Sequence, residues 1–158
     1  MKLKDIPALL IALAIPQLAG GIGSVFTTPQ LTGWYASLQK SPLNPPGWVF
    51  GPVWLTLFLL MGIAAFLVYQ KGWKNQDVKR ALGVLGLQLI LNTLWSYLFF
   101  GLQNPQAAFI EIFILWFAIF CTIILFYKVS RLAAYLLLPY LLWVSFAAFL
   151  NGSIVWLN

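Results

Sequence analysis

Five apolar runs, each long enough to cross a membrane as a helix, are separated by short stretches that hold almost all of the charge. Of nine Lys and Arg and three Asp and Glu residues in 158 positions, only Glu111 sits well inside a run. A helix needs about 20 apolar residues to cross a hydrocarbon core. The runs at 6–26, 46–69, 79–101, 106–127 and 131–156 all meet that length, and none alternates as a barrel strand does. With 62% hydrophobic residues and a mean hydropathy of +0.91, a water-soluble fold of this size is excluded. The expectation is an all-α integral membrane protein, a five-transmembrane-helix bundle forming a single domain over residues 1–158.

Lys2 and Lys4 ahead of the first run imitate a signal peptide. The apolar stretch continues past Ile15 without a small-residue cleavage site, so it reads as an uncleaved first helix. With five spans, Lys2, Lys4, Lys71, Lys74, Lys79, Arg80, Lys128 and Arg131 share one side, and only Lys40 lies on the other. The positive-inside rule then predicts a cytoplasmic N-terminus and an outside C-terminus. The net charge of +6 is thereby explained by topology. A nucleic-acid partner is not expected, because no basic stripe is interleaved with aromatics.

Composition also excludes chemistries. The chain has no histidine, which removes His-ligated haem, the common zinc sites and any Ser-His-Asp hydrolase. Its single cysteine, Cys121, lies mid-span and reads as packing. No Gly-rich phosphate loop or nucleophile elbow is present. No metal site and no required cofactor are expected.

What remains is aromatic and polar. The 27–45 loop carries Trp34, Tyr35, Lys40, Pro42 and Pro45, and leads through Pro46, Gly47 and Trp48 to Pro52 and Trp54. Prolines fix backbone angles, so this connection is expected to be stiff. Two readings stand: a lid over a binding site, or a packed turn with interfacial tryptophans. On the third span Gln88, Asn92, Trp95, Ser96 and Phe99 share a helical face, and on the fifth so do Tyr140, Trp143, Ala147 and Asn151. At a ~1.5 Å rise per residue, Glu111 lies ~8 Å from the outer end of the fourth helix. Trp54 and Asn92 lie ~12 Å below the outer ends of theirs, and Trp143 is deeper. These depths suggest a polar-aromatic cavity in the outer half, beneath the loop. For Asn92 a plain helix-to-helix hydrogen bond is the competing reading. Glu111 is costly to bury charged and is expected to be neutral, paired or wet. Trp116, ~140° around the helix from Glu111, is expected to face lipid or a partner. Ala19, Gly20, Gly23 and Ser24 give small-xxx-small spacing, which suits either a dimer contact or packing within one protomer.

At these residues the chain resembles the TspO/MBR family, which includes tryptophan-rich sensory proteins and the translocator protein (peripheral-type benzodiazepine receptor). The resemblance rests on Trp34 and Tyr35 with Leu38 and Lys40, and on the block from Pro45 to Trp54. It continues through Leu91 and Asn92 with Trp95 and Ser96, through Phe99 to Gly101, and through Pro139 and Tyr140 with Trp143, Phe146, Ala147, Leu150 and Asn151. It implies a five-helix bundle, usually a homodimer, with one pocket per protomer capped by the first loop. It also implies binding of protoporphyrin IX-type tetrapyrroles. The ligand-binding residues would be Trp34, Tyr35, Trp54, Asn92, Trp95, Glu111, Trp143 and Ala147, with Lys40, Pro45, Pro46 and Trp48 in the lid. The Tyr and basic residue of the mitochondrial cholesterol motif are absent from the 150–158 tail, so tight sterol binding is not expected.

Three functions follow from the resemblance. The first is a tetrapyrrole-binding sensor or regulator of porphyrin metabolism or stress response. The second is a transporter of porphyrins or other hydrophobic small molecules; against it stand an odd helix number and a single intramembrane carboxylate. The third is light-dependent porphyrin degradation, with Trp54 and Trp143 as the reacting residues. Lys40, the one outer cation, would meet a propionate. The expected partners are a flat hydrophobic ligand, the bilayer and a second copy of the chain, and the expected location is a bacterial inner membrane.

Overall fold

Long apolar segments in lipid must satisfy their own backbone hydrogen bonds, so they fold as helices. A computed structural model describes residues 5–158; Lys2 and Lys4, used above for orientation, lie outside the described residues. Seven helices follow in order: α1 (Ile6–Thr27), α2 (Trp34–Ser37), α3 (Gly47–Tyr69), α4 (Gln76–Ser96), α5 (Pro105–Val129), α6 (Arg131–Leu136) and α7 (Leu138–Leu157). A 3-10 turn (Thr28–Gln30) extends α1, and a π-helical segment (Tyr97–Gly101) extends α4. Five helical spans are long and apolar enough to cross a membrane, at Ile6–Gln30, Gly47–Tyr69, Gln76–Gly101, Pro105–Val129 and Arg131–Leu157. The chain is an all-helical integral membrane protein.

The ends of these spans are set by local chemistry. The third starts at Gln76 rather than 79, because the Asn75 side chain accepts from the Asp77 amide and caps the helix. Asn104 caps α5 through the Ala107 amide, with Pro105 in its first turn. The last span, expected as one helix, is broken at Leu137. Pro139 has no N–H to continue the ladder, and α7 restarts with it in the first turn. The expected loop at 27–45 is largely structured, holding the 3-10 turn and α2.

The helices close into a ring in the order α1, α4, α5, α6–α7, α3, with α3 returning to α1. Small residues set the closest approaches. A Cβ on Gly62 of α3 would lie 2.8 Å from the Ala12 carbonyl oxygen, which Pro16 leaves without its intrahelical donor. A Cβ on Gly20 would collide with the Phe58 ring, and one on Gly23 would lie 3.0 Å from Ser96 Oγ. The small-residue face of α1 therefore packs inside the protomer, against α3 and α4. The main core runs through the half of the bundle away from the 27–45 loop, from Leu57, Met61 and Val68 to Leu115, Phe126, Ala133 and Val144. A second cluster of Tyr35, Phe99, Phe100, Ala108 and Ile154 closes the end beneath the 27–45 loop.

Candidate ligand cavity

The break at Leu137 shapes the half of the bundle beneath the 27–45 loop. Below it α6 packs against α3, whereas α7 beyond it stands off from α3. The space left is a cavity of about 500 Å³ bounded by α1, α3, α4, α7 and the loop helix α2. Aromatic walls come from Phe50, Trp54 and Phe58 of α3, Trp95, Phe99 and Phe100 of the third span, and Trp143 of α7. Gly20, Gly21, Gly23 and Ser24 of α1 complete the lining, with Gly21 facing open space. No charged side chain is among the described lining residues.

Ring contacts fix the aromatic walls in place. Trp54 stacks on Phe58 at 5.5 Å and meets Tyr140 edge-on at 6.1 Å. Trp95 stacks on Phe99 at 5.1 Å, and Phe50 meets Trp143 edge-on at 6.0 Å. Such pairs each contribute ~0.5–1.5 kcal/mol beyond area burial. The π-helical segment adds a residue to its turn, and both Phe99 and Phe100 turn inward, their rings 4.8 Å apart.

Hydrogen bonds lock the polar groups. Asn92 Nδ2 donates to the Tyr140 hydroxyl at 2.9 Å. Trp95 Nε1 donates to Asn151 Oδ1 at 3.2 Å, and Asn151 Nδ2 donates to the Pro105 carbonyl at 2.9 Å. Gln17 Nε2 donates to the Leu55 carbonyl at 3.2 Å, tying α1 to α3 at the cavity edge. Three groups are buried without a partner among the described residues: Gln88 Oε1, both oxygens of Glu111, and Trp143 Nε1.

The loop is fastened at several points. Tyr35 donates to Asn44 Oδ1 at 3.0 Å. Burial pushes its phenol above the usual value, and that hydrogen bond offsets part of the shift. The Asn158 side chain pairs with both the amide and the carbonyl of Gln39. Gln103 Nε2 reaches Gln30 Oε1 at 3.1 Å.

Of the residues singled out from sequence, Tyr35, Trp54, Asn92, Trp95, Trp143 and Ala147 come together around the cavity, with Trp48 at its mouth. Five do not line it as expected. Trp34 packs edge-on against the outer side of Phe99. Glu111 is buried behind the wall on α5. Lys40 Nζ is turned back onto the carbonyls of Ala36 and Leu38 and over the Tyr35 ring, because the short helix α2 leaves those acceptors unpaired. It is not aimed at a ligand carboxylate. Pro45 and Pro46 shape the entry into α3 without lining the space. Gln88, placed on the same face as Asn92, instead donates to Met61 Sδ in the core. Trp116 faces away from the cavity, but its indole N–H donates to Ser145 of α7 rather than being left to lipid. Sequence reasoning missed Phe50, Phe58 and Phe100 as wall residues. The run of small residues at 19–24 was the available signal, since a face without side chains marks either tight packing or open space.

Comparison with known proteins agrees along the chain. The model of the TspO/MBR family matches residues 12–157. The "Tryptophan-rich protein TspO" of Chlorobaculum tepidum is 42% identical over 155 residues, covering 98% of each chain. The protein of the same name from Archaeoglobus fulgidus is 43% identical over 157 residues, covering 99% of this chain and 97% of its own. The human "Translocator protein" is 40% identical over 147 residues, covering 92% of this chain and 86% of its own.

Proposed function

The chain belongs to the TspO/MBR family, and on that premise we propose that it is a membrane receptor for a protoporphyrin IX-type tetrapyrrole. Its role would be that of a sensor or regulator of porphyrin metabolism or stress response. The observation that carries the reading is an uncharged cavity of about 500 Å³ whose walls present tryptophans from three different spans, Trp54, Trp95 and Trp143. A flat macrocycle gains both burial and stacking against such walls. The absence of histidine from the chain favours a metal-free ring, because haem would find no imidazole axial ligand. Ionised propionates find no counter-charge in the lining, so they would stay at the mouth near Trp48 and the loop. Tyr35, held at the base of the loop, would close the outer side over the ring.

The protein functions in this reading as a homodimer in a bacterial inner membrane, with its N-terminus cytoplasmic. The test is a tryptophan-fluorescence and absorbance titration of the purified protein with protoporphyrin IX, in darkness and then under light. Saturable quenching is expected, weakened about two- to tenfold in Trp143→Phe, whose smaller ring gives up stacking area. Absence of saturable quenching would sink the tetrapyrrole assignment. Protein-dependent loss of the porphyrin bands under light, abolished in Trp54→Phe or Trp143→Phe, would replace the sensor reading with an enzymatic one.

A further inference from the structure

Tyr140 does not line the cavity and is only 1% exposed, yet two wall residues rest on it. Asn92 Nδ2 donates to its hydroxyl, and the Trp54 indole packs edge-on against its ring. An asparagine amide is two-sided, with a donor at one end and an acceptor at the other. The direction of the Asn92–Tyr140 bond therefore decides which end the cavity meets. With Nδ2 committed to Tyr140, Asn92 Oδ1 has no partner among the described residues. Unlike the orphaned atoms of Glu111 and Trp143, it is not sealed inside the protein. It is left at the cavity wall as an acceptor.

The geometry of the Asn92–Tyr140 pair gives that direction. A phenol hydroxyl can donate or accept. In this pair Asn92 Nδ2 lies 2.9 Å from the phenol oxygen, so the hydroxyl is the acceptor and the amide oxygen is turned off it. Most other polar groups of the wall are already engaged. Ser24 and Thr27 donate to carbonyls of α1, and the Asn151 amide is spent on Trp95 and Pro105.

We propose that Tyr140 is a positioning residue that holds Asn92 with its carbonyl towards the cavity, so that the site selects ligands carrying an N–H or O–H donor on the edge they insert. The selection rests on reading the cavity as a site for flat aromatic ligands. A ligand edge without a donor would bury that carbonyl unpaired, which is the stronger penalty in such a site.

The test uses the full chain in detergent and two flat probes, the lactam phenanthridin-6(5H)-one and its N-methyl derivative, which lacks the N–H. Binding is read by tryptophan quenching, with protoporphyrin IX titrated in parallel. Wild type is expected to bind the lactam about tenfold more tightly than the methylated probe. The ratio is expected to fall to about threefold or less in Tyr140→Phe, which keeps the ring against Trp54 and removes only the hydroxyl. Asn92→Leu, which removes the acceptor itself, is expected to do the same and serves if Tyr140→Phe does not fold. A ratio near one in wild type, or no binding of either probe, overturns the proposal. So does a ratio that survives in Tyr140→Phe while falling in Asn92→Leu, which would deny Tyr140 the positioning role. Saturable protoporphyrin binding with a ratio near one would sink this inference alone. A tenfold ratio without protoporphyrin binding would sink the tetrapyrrole reading alone.

Discussion

Asn151 joins three helices with one amide. Its oxygen takes the Trp95 indole N–H from the third span, and its nitrogen satisfies the Pro105 carbonyl at the start of α5, while its own residue is 2% exposed on α7. Asn151→Ala would strand both partners, and each buried group left unpaired costs about 1–3 kcal/mol. A lowered melting midpoint in detergent is expected, together with weaker protoporphyrin binding as Trp95 loses its tether; an unchanged midpoint in scanning fluorimetry would show that water replaces the amide. The spacing of Tyr140, Trp143, Ala147 and Asn151 put these residues on one face, which is visible in any helical sequence. What each amide bonds to is not visible, because it depends on residues 46 to 56 positions away. Glu111 shows the same limit from the other side. As the lone charge inside a span it looked like a cavity residue, but the facing helices place it behind the wall.

At the scale of elements, glycine governs how closely α1 approaches its neighbours. A Cβ at Gly20 would collide with Phe58 Cε2, whereas one at Gly21 would meet nothing within 4 Å. Gly20→Val is therefore expected to displace Phe58, part α1 from α3 and disturb the stacked Trp54, at a cost of about 1–3 kcal/mol. Gly21→Ala is expected to be near neutral. Equal melting midpoints for the two variants would contradict the packing described. Helix existence was plain from the apolar runs, but two irregularities were not. The π-helical segment needs a tertiary reason to keep two adjacent phenylalanines facing inward. Tyr35, which contacts both rings, supplies it. The break at Leu137 was announced locally by Pro139, yet its consequence, the divergence of α7 from α3, exists only in the assembled bundle.

The molecule as a whole is wrapped in apolar side chains. Leu10, Leu18, Ile90, Ile110, Phe117 and Leu142 are each at least 60% exposed, a surface that lipid rather than water covers. Orientation belongs to this scale, since it follows from charge summed over loops. In a Cys121→Ala background, a cysteine at Lys40→Cys is expected to react with a membrane-impermeant maleimide added to intact cells. One at Lys74→Cys should react only after permeabilisation; the opposite pattern would reverse the topology. Among the described residues, Lys71, Lys74, Lys79, Arg80, Lys128 and Arg131 lie in or beside the connections at the end of the bundle opposite Lys40, so the expected orientation stands without Lys2 and Lys4.

The sequence by itself determined the membrane class, the number of spans and the faces that carry aromatic and polar side chains, because hydropathy and helical period are local properties of a chain that must satisfy its backbone in lipid. The order in which helices touch, the room left between α3 and α7, the fate of each buried polar atom and the turning of Lys40 away from the cavity were decided only by tertiary structure. Each depends on which distant side chain fills or leaves a space. The Gly20–Phe58 contact and the Asn92–Tyr140 bond exist because helices far apart in sequence are held at one depth in the bilayer.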